Sequence, residues 1–200
     1  KAYPELAAHH IDYDMPFPEP WQQVLFAIDW GYHPSATCVL FAYVINGELN
    51  VFDEHYEMEE TPIFTAAAIE SRRSNLDLRR LIGVADHEPA RIVELTNRGI
   101  DCSNADKVNT MGARMQIKEA LYFKRIKFHP RCKFVLRDLD AATWDSKKDG
   151  ELDDSQCTWG HFDGEATLRY LIRMLSTIEV EKPAENPHSA YDTASAAAHR

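Results

Sequence analysis

The stretch QVLFAIDWGYHPSATCVLF, residues 23–41, holds one acid, Asp29, at the end of an unbroken apolar run. Val24 to Ile28 read as a buried strand, which Gly31 and Pro34 then break. A carboxylate at the end of such a strand is costly unless a positive charge compensates it. No Lys or Arg lies between Lys1 and Arg72, so the compensation must come from far along the chain or from a metal ion.

Working outward, Ala36–Ile45 and Leu49–Glu54 read as two further strands, with Asn46-Gly47-Glu48 as the hairpin turn between them. Thr61 and Pro62 form an N-cap and first-turn pair that opens a helix expected through Arg80. Residues 81–86, LIGVAD, read as a buried strand. Pro89 then opens a helix that Gly99 closes, with Glu88 at its cap. IDCSN, residues 100–104, is a short strand, residues 111–126 are a helix, and KFVLRDL, residues 133–139, is expected as a strand. The last helix shows one apolar face in Leu168, Leu171, Ile172, Leu175 and Ile178. The order predicts an α/β fold in which an antiparallel meander joins parallel strands in one mixed sheet flanked by helices.

The chain has 200 residues with 44% hydrophobic content, enough for one domain with a real core. Residues 1–22, with Pro4, Pro16, Pro18 and Pro20, are expected as an extended lead-in or linker, 23–178 as the domain, and 179–200 as a polar, Ala-rich tail. The net charge of -10 argues against a protein that grips nucleic acid by bulk electrostatics, though not by a local patch. Cys38, Cys102, Cys132 and Cys157 form no C-x-x-C pair, which suits a reduced compartment. No run is long and apolar enough to span a bilayer, and no signal-peptide pattern opens the chain.

Asp86 ends LIGVAD as Asp29 ends the first strand, and strand ends are where α/β sheets collect their sites. Asp163 lies where the last helix begins; an acid there is first of all an N-cap, and otherwise a third member of a carboxylate cluster. Three converging carboxylates raise one another's pKa unless divalent cations neutralise them. Oxygen-only ligation favours Mg2+ or Mn2+, and two such ions about 3.5–4 Å apart can drive phosphodiester hydrolysis. A second constellation, His129 and Cys132 with Cys157 and His161, has the donor types of a closed zinc site but the spacing of no common zinc module.

AIDWG with its following meander, GVADHEPARIVELTNRGI, NADK before a helix, and GHFDGEATLRYLIRML together resemble the C-terminal nuclease domain of phage large terminase subunits, from about Val24 to about Leu175. The resemblance implies an RNase-H-like fold and a metal-dependent endonuclease that cuts concatemeric viral double-stranded DNA during packaging. It places the metal-binding acids at Asp29, Asp86 and Asp163, with two Mg2+ or Mn2+ ions. Members of that family often carry another acid near the position of Ala166. Its absence leaves His161, Glu165, Asp153 and Asp154 as alternative or additional ligands. Lys107 matches a lysine before the helix and is either a phosphate contact or a charge balancer. The implied partners are DNA, the portal, the small terminase subunit and an N-terminal packaging ATPase in the host cytoplasm. No G-x-x-x-x-G-K-S/T loop occurs in this chain, so the ATPase is expected on a separate segment. Two rivals stand beside this reading. IDWG also resembles the D-x-G strand turn of actin-like and sugar kinases, and a non-enzymatic interaction domain of a packaging assembly would keep the fold without metal.

Overall fold

The strand β1 (Gln23–Asp29) has β2 (Thr37–Ile45) antiparallel on one side and β4 (Arg80–Ala85) parallel on the other. β3 (Glu48–Glu57), β5 (Asp101–Asn104) and β6 (Ile126–Phe128) complete a six-stranded mixed sheet of order β5-β4-β1-β2-β3-β6. The structure, a computed structural model, describes residues 1–176; the expected tail and the final residues of the expected last helix lie outside that range.

Covered strands read as continuous apolar runs because both faces are buried. Val24, Phe26 and Ile28 face a layer holding Ala66 and Ile69 of α1 (Pro62–Asn75) and Leu95 of α2 (Pro89–Asn97). Leu25 and Ala27 belong to the opposite layer, with Ile117 of α3 (Thr110–Tyr122), Val135 and Leu139 of α4 (Lys133–Ala141), and Leu168 and Leu171 of α5 (Asp163–Leu175). The β2–β3 turn is the expected one, with Asn46 and Gly47 both at positive φ, as a two-residue hairpin loop requires. α1 opens at Pro62 but ends at Asn75, earlier than expected, and Asp77 then turns the chain at φ 49° into β4.

The segment expected as a strand at Lys133–Leu139 is instead α4. Val135, Asp138 and Leu139 are buried at helical spacing, and the Glu54 carboxylate from β3 accepts the Phe134 and Val135 N–H groups at 2.8 and 3.2 Å. A tertiary cap thus overrides the strand preference of Phe134-Val135-Leu136. The sixth strand is β6, whose first residue the sequence pattern assigns to the end of α3. Residues 1–22 run mostly extended, yet they pack against the domain. Ala2, Tyr3, His10 and Met15 are buried, the Ala2 N–H donates to the Ala142 carbonyl at 2.7 Å, and Ile11 bridges to Phe128.

The β1–β4 register sets Ile28 opposite Ala85, so the next residue along the chain from each, Asp29 and Asp86, lies at the same end of the sheet. Gly83 lets these strands lie close to the core: a Cβ there would stand 2.3 Å from the buried Phe26 ring. Gly83→Ala should lower stability by about 1–3 kcal/mol through overpacking, measured as a lower urea midpoint at unchanged slope. An unshifted midpoint would show that Phe26 yields freely.

Candidate active site

Asp29, Asp86 and Asp163 come together at that end of the sheet. Asp86 follows β4, with its N–H donating to the Ile28 carbonyl at 2.9 Å, and its carboxylate is ion-paired with Lys107. Lys107 also stands 6.0 Å from the Tyr170 ring centre, and the Tyr170 hydroxyl donates to Asp29 Oδ1 at 3.4 Å. Asp163 is the first residue of α5, but the cap position belongs to Phe162, which makes no side-chain capping bond. The Asp163 carboxylate reaches back instead to the loop after β1, accepting the Ala36 N–H at 2.9 Å, and to β3, accepting the Tyr56 hydroxyl at 3.3 Å.

Asp138 supplies the bond that a cap would have made. It is fully buried on α4, accepts the Gly164 N–H at 2.8 Å and the Trp159 indole N–H at 3.0 Å, and so fixes where α5 starts. A Cβ at Gly164 would lie 2.8 Å from the Val135 Cα, so α4 and α5 meet backbone to backbone at this point. The sequence pattern does not single out Asp138, because it falls in a segment that reads as a strand; its helical spacing from Val135 is the available signal.

Burial, then the charge of Asp163, then that of Asp86 push the Asp29 carboxyl up to about 7, with Arg169 and Lys107 partly opposing them. Burial likewise raises Asp163, against the pull of its bonds from Ala36 and Tyr56. Glu165 behaves in the opposite way. Although burial disfavours its charge, Arg169 and Arg114 hold its carboxyl below the ordinary range. It accepts Arg114 Nε at 3.0 Å, Arg169 Nε at 2.9 Å and the Tyr3 hydroxyl at 2.5 Å. As a candidate ligand it is therefore already spent on protein donors.

A cleft of about 530 Å³ opens beside the acids, with Asp29, Asp163, His161, Arg114 and Arg169 among its walls and Asp149, Glu151 and Asp154 also lining it. His161 is exposed on this wall and lowers the Asp163 pKa electrostatically. Asp153 accepts the Ser155 N–H and hydroxyl at 3.1 and 2.5 Å, capping the single helical turn Asp154–Gln156. The zinc constellation does not form. The buried Cys132 thiol donates to the Val51 carbonyl at 3.5 Å, the His129 ring accepts from Arg131 at 3.2 Å, and no metal-binding cluster joins them to Cys157 and His161 among the described residues. Gly31 of the D-x-G turn is explained by packing, since a Cβ there would lie 2.3 Å from the Ala36 carbonyl oxygen.

The three acids fit a hard divalent cation in charge and donor type, and a cation would relieve the burial and the two neighbouring acids that raise the Asp29 carboxyl. They are not drawn in to ligand distance: among the described residues, no three His, Cys, Asp or Glu side chains form a group that could hold a metal ion. Each of the three is turned toward a protein partner, namely Tyr170, Lys107, or Ala36 with Tyr56. Binding would exchange those partners for the ion.

No family model matches the sequence, and no curated protein matches it either. Solved structures do match. The large terminase of a thermophilic bacteriophage superposes with a TM-score of 0.73 at 18% identity over 88% of this chain and 44% of that one. The P22 large terminase nuclease domain gives 0.69 at 12% identity, covering 88% of this chain and 92% of its own. This chain has the fold of a large-terminase nuclease domain. The nuclease domain of the bacteriophage SPP1 large terminase, with bound Mn, gives 0.60 at 17% identity, covering 79% and 88%. The chain thus spans less than half of the whole thermophilic-phage protein but most of the isolated nuclease domains. The mixed sheet with flanking helices expected from the sequence is the fold class found, with β6 in place of the strand expected at 133–139.

Asp29 makes the metal-free fold pH-sensitive. Between the ordinary carboxylate range near 4 and about 7, the folded protein keeps a proton on Asp29 that the unfolded chain has released, so this residue's contribution to stability falls as pH rises through that window. Asp29→Asn cannot undergo that loss. In EDTA the variant should match the wild type near pH 4 and exceed it at pH 8 by about 1–4 kcal/mol in urea unfolding. Parallel stability–pH curves would show that Asp29 carries no such strain.

Proposed function

We propose that the chain is a metal-dependent endonuclease module that cuts concatemeric double-stranded DNA during viral genome packaging, with little sequence preference. The observation that carries this reading is the parallel β1–β4 register, which aligns Asp29 with Asp86 while α5 brings Asp163 close enough to act on Asp29. The terminase-nuclease fold supports the same reading, and the SPP1 domain with bound Mn supports a divalent ion.

In this reading Asp29, Asp86 and Asp163 would hold two Mg2+ or Mn2+ ions, with His161 supplementing Asp163. The ions, when bound, supply Lewis-acid chemistry that readies a water for attack and offsets charge on the leaving oxygen. Hydrolysis joins the water oxygen to phosphorus and breaks one ester P–O bond; the water's proton goes to solvent and the leaving oxygen takes one up. Asp163 is kept in place by Ala36 and by the start of α5, so its carboxylate stays at a fixed depth beside Asp29. Lys107 is held beside Asp86. Its ammonium, at the same end of the sheet as the acids, would contact the scissile phosphate.

An acidic module of this kind has a weak and salt-sensitive grip on DNA, so the reading requires partners that deliver it: a packaging ATPase domain, a portal and a small terminase subunit, in the host cytoplasm. No described helix is long and apolar enough to cross a membrane.

Plasmid nicking tests the reading. Wild type should nick supercoiled DNA with Mn2+ and not in EDTA, and Asp29→Asn should lose at least about a hundredfold in rate, equivalent to about 3 kcal/mol of transition-state stabilisation. Nicking by Asp29→Asn at the wild-type rate would end the two-metal reading. Lys107→Ala should nick more slowly while calorimetric Mn2+ affinity stays nearly unchanged; unaltered nicking would leave Lys107 as a charge balancer for Asp86 alone.

A further inference from the structure

One buried charge cluster beside the acids is not used by the hydrolysis described above. Arg114 from α3 and Arg169 from α5 meet the single carboxylate of Glu165, and both arginines line the cleft that also contains Asp29 and Asp163. Two cations against one buried anion leave one positive charge over. Arg114 is held at two nitrogens, with Nε on Glu165 and Nη1 on the Gly150 carbonyl at 2.5 Å. The Arg169 fork is occupied only at Nε; its Nη1 and Nη2 make no hydrogen bond with any described residue. Its side chain is 14% exposed, so the guanidinium is held in place yet reachable from the cleft.

We propose that Arg169 is a phosphate-binding residue, its guanidinium steadied at one edge by Glu165 so that the free Nη atoms take a non-bridging oxygen of the DNA backbone in the cleft. The inference rests on the nuclease reading and adds a substrate contact to it. A planar guanidinium pinned by one carboxylate offers a second pair of parallel N–H donors, the geometry that oxyanions of phosphorus accept. Charge completes the case. Without metal, the surplus cation acts on Asp29 through space. Divalent ions at that carboxylate would leave the surplus for an anion, while Asp149, Glu151 and Asp154 repel a backbone from their own part of the cleft. Arg114 is the positioning residue, holding Glu165 and hence the angle of the Arg169 fork.

The test compares wild type, Arg169→Gln and Arg169→Lys in plasmid nicking with Mn2+, in Mn2+ calorimetry, and in binding of a 20-base-pair duplex at several salt concentrations with Ca2+ in place of Mn2+. Arg169→Gln should nick at least about tenfold more slowly, bind Mn2+ as tightly as wild type or tighter, and flatten the salt slope of duplex binding by about 0.9, the loss of one phosphate contact. Arg169→Lys, which keeps the charge against Glu165, should restore the slope with several-fold weaker duplex binding. A folded Arg169→Gln that nicks at the wild-type rate overturns the proposal, as does a parallel loss of Mn2+ affinity and melting temperature, which marks a structural ion pair. If Arg169→Gln does not fold, Arg169→Lys decides: duplex affinity equal to wild type overturns the proposal, and weaker affinity at equal melting temperature supports it. Failure of the wild type itself to nick overturns the nuclease reading and the phosphate contact with it.

Discussion

A carboxylate buried at the end of a central strand must be paired, protonated or met by a bound cation, and Asp29 organises its surroundings around that demand. Parallel pairing of β1 with β4 sharpens the demand by delivering Asp86 at the same level, and α5 adds Asp163 at its first turn. The cations nearby are rationed. Lys107 goes to Asp86, Arg169 to Glu165, and among the described residues Asp29 receives a single long bond, from Tyr170. The ensemble tolerates its own charge without neutralising it, which is the electrostatic condition of a site suited to a positively charged ligand.

Two groups among the buried and half-buried acids differ in what surrounds their carboxylates. Glu54 and Asp138 each take backbone N–H groups at the start of a helix, α4 for the first and α5 for the second. Burial still pushes them up, Glu54 to about 7 and Asp138 to about 6, but their lone pairs are occupied by the chain itself. Glu54 ties the sheet to α4, and Asp138 ties α4 to α5. Asp29 accepts no backbone N–H among the described residues and is raised by burial, then by Asp163 and Asp86. A raised pKa alone does not tell these groups apart; the partner atoms do.

Most of the sheet is readable in the sequence because its signals are local. The apolar runs of β1 and β2, the Asn-Gly turn and the Pro-opened helices α1 and α2 each follow from a few adjacent residues, and both strand-end acids are visible, though only the β1–β4 pairing sets them side by side. What the pattern misreads depends on distant groups. α4 forms where Glu54 and the sheet receive it, against the β-forming character of Phe134-Val135-Leu136, and β6 is three residues long and pairs in the sheet with β3. Glu165 has the sequence appearance of a ligand because nothing nearby announces Arg114, 51 positions earlier, as its partner. Tyr3 completes that network from a segment that composition marks as a linker.

The absence of Lys and Arg from the second residue to Ser71 has a consequence for how the molecule comes into being. During synthesis β1 and its hairpin partners emerge before β4, and acids are the only full charges between residues 2 and 71. Lys107 follows much later, and Arg169, with the helix that closes the layer over Asp29, comes after that. The pairings that settle the site are therefore among the longest in sequence separation, and such contacts are made late because the intervening chain must be ordered first. An interrupted translation product would carry Asp29 and Asp86 without Asp163 or the α5 layer. Assembly of the three-acid cluster is in this way tied to synthesis of α5, and a chain ended before it would carry two strand-end acids and never gather the third.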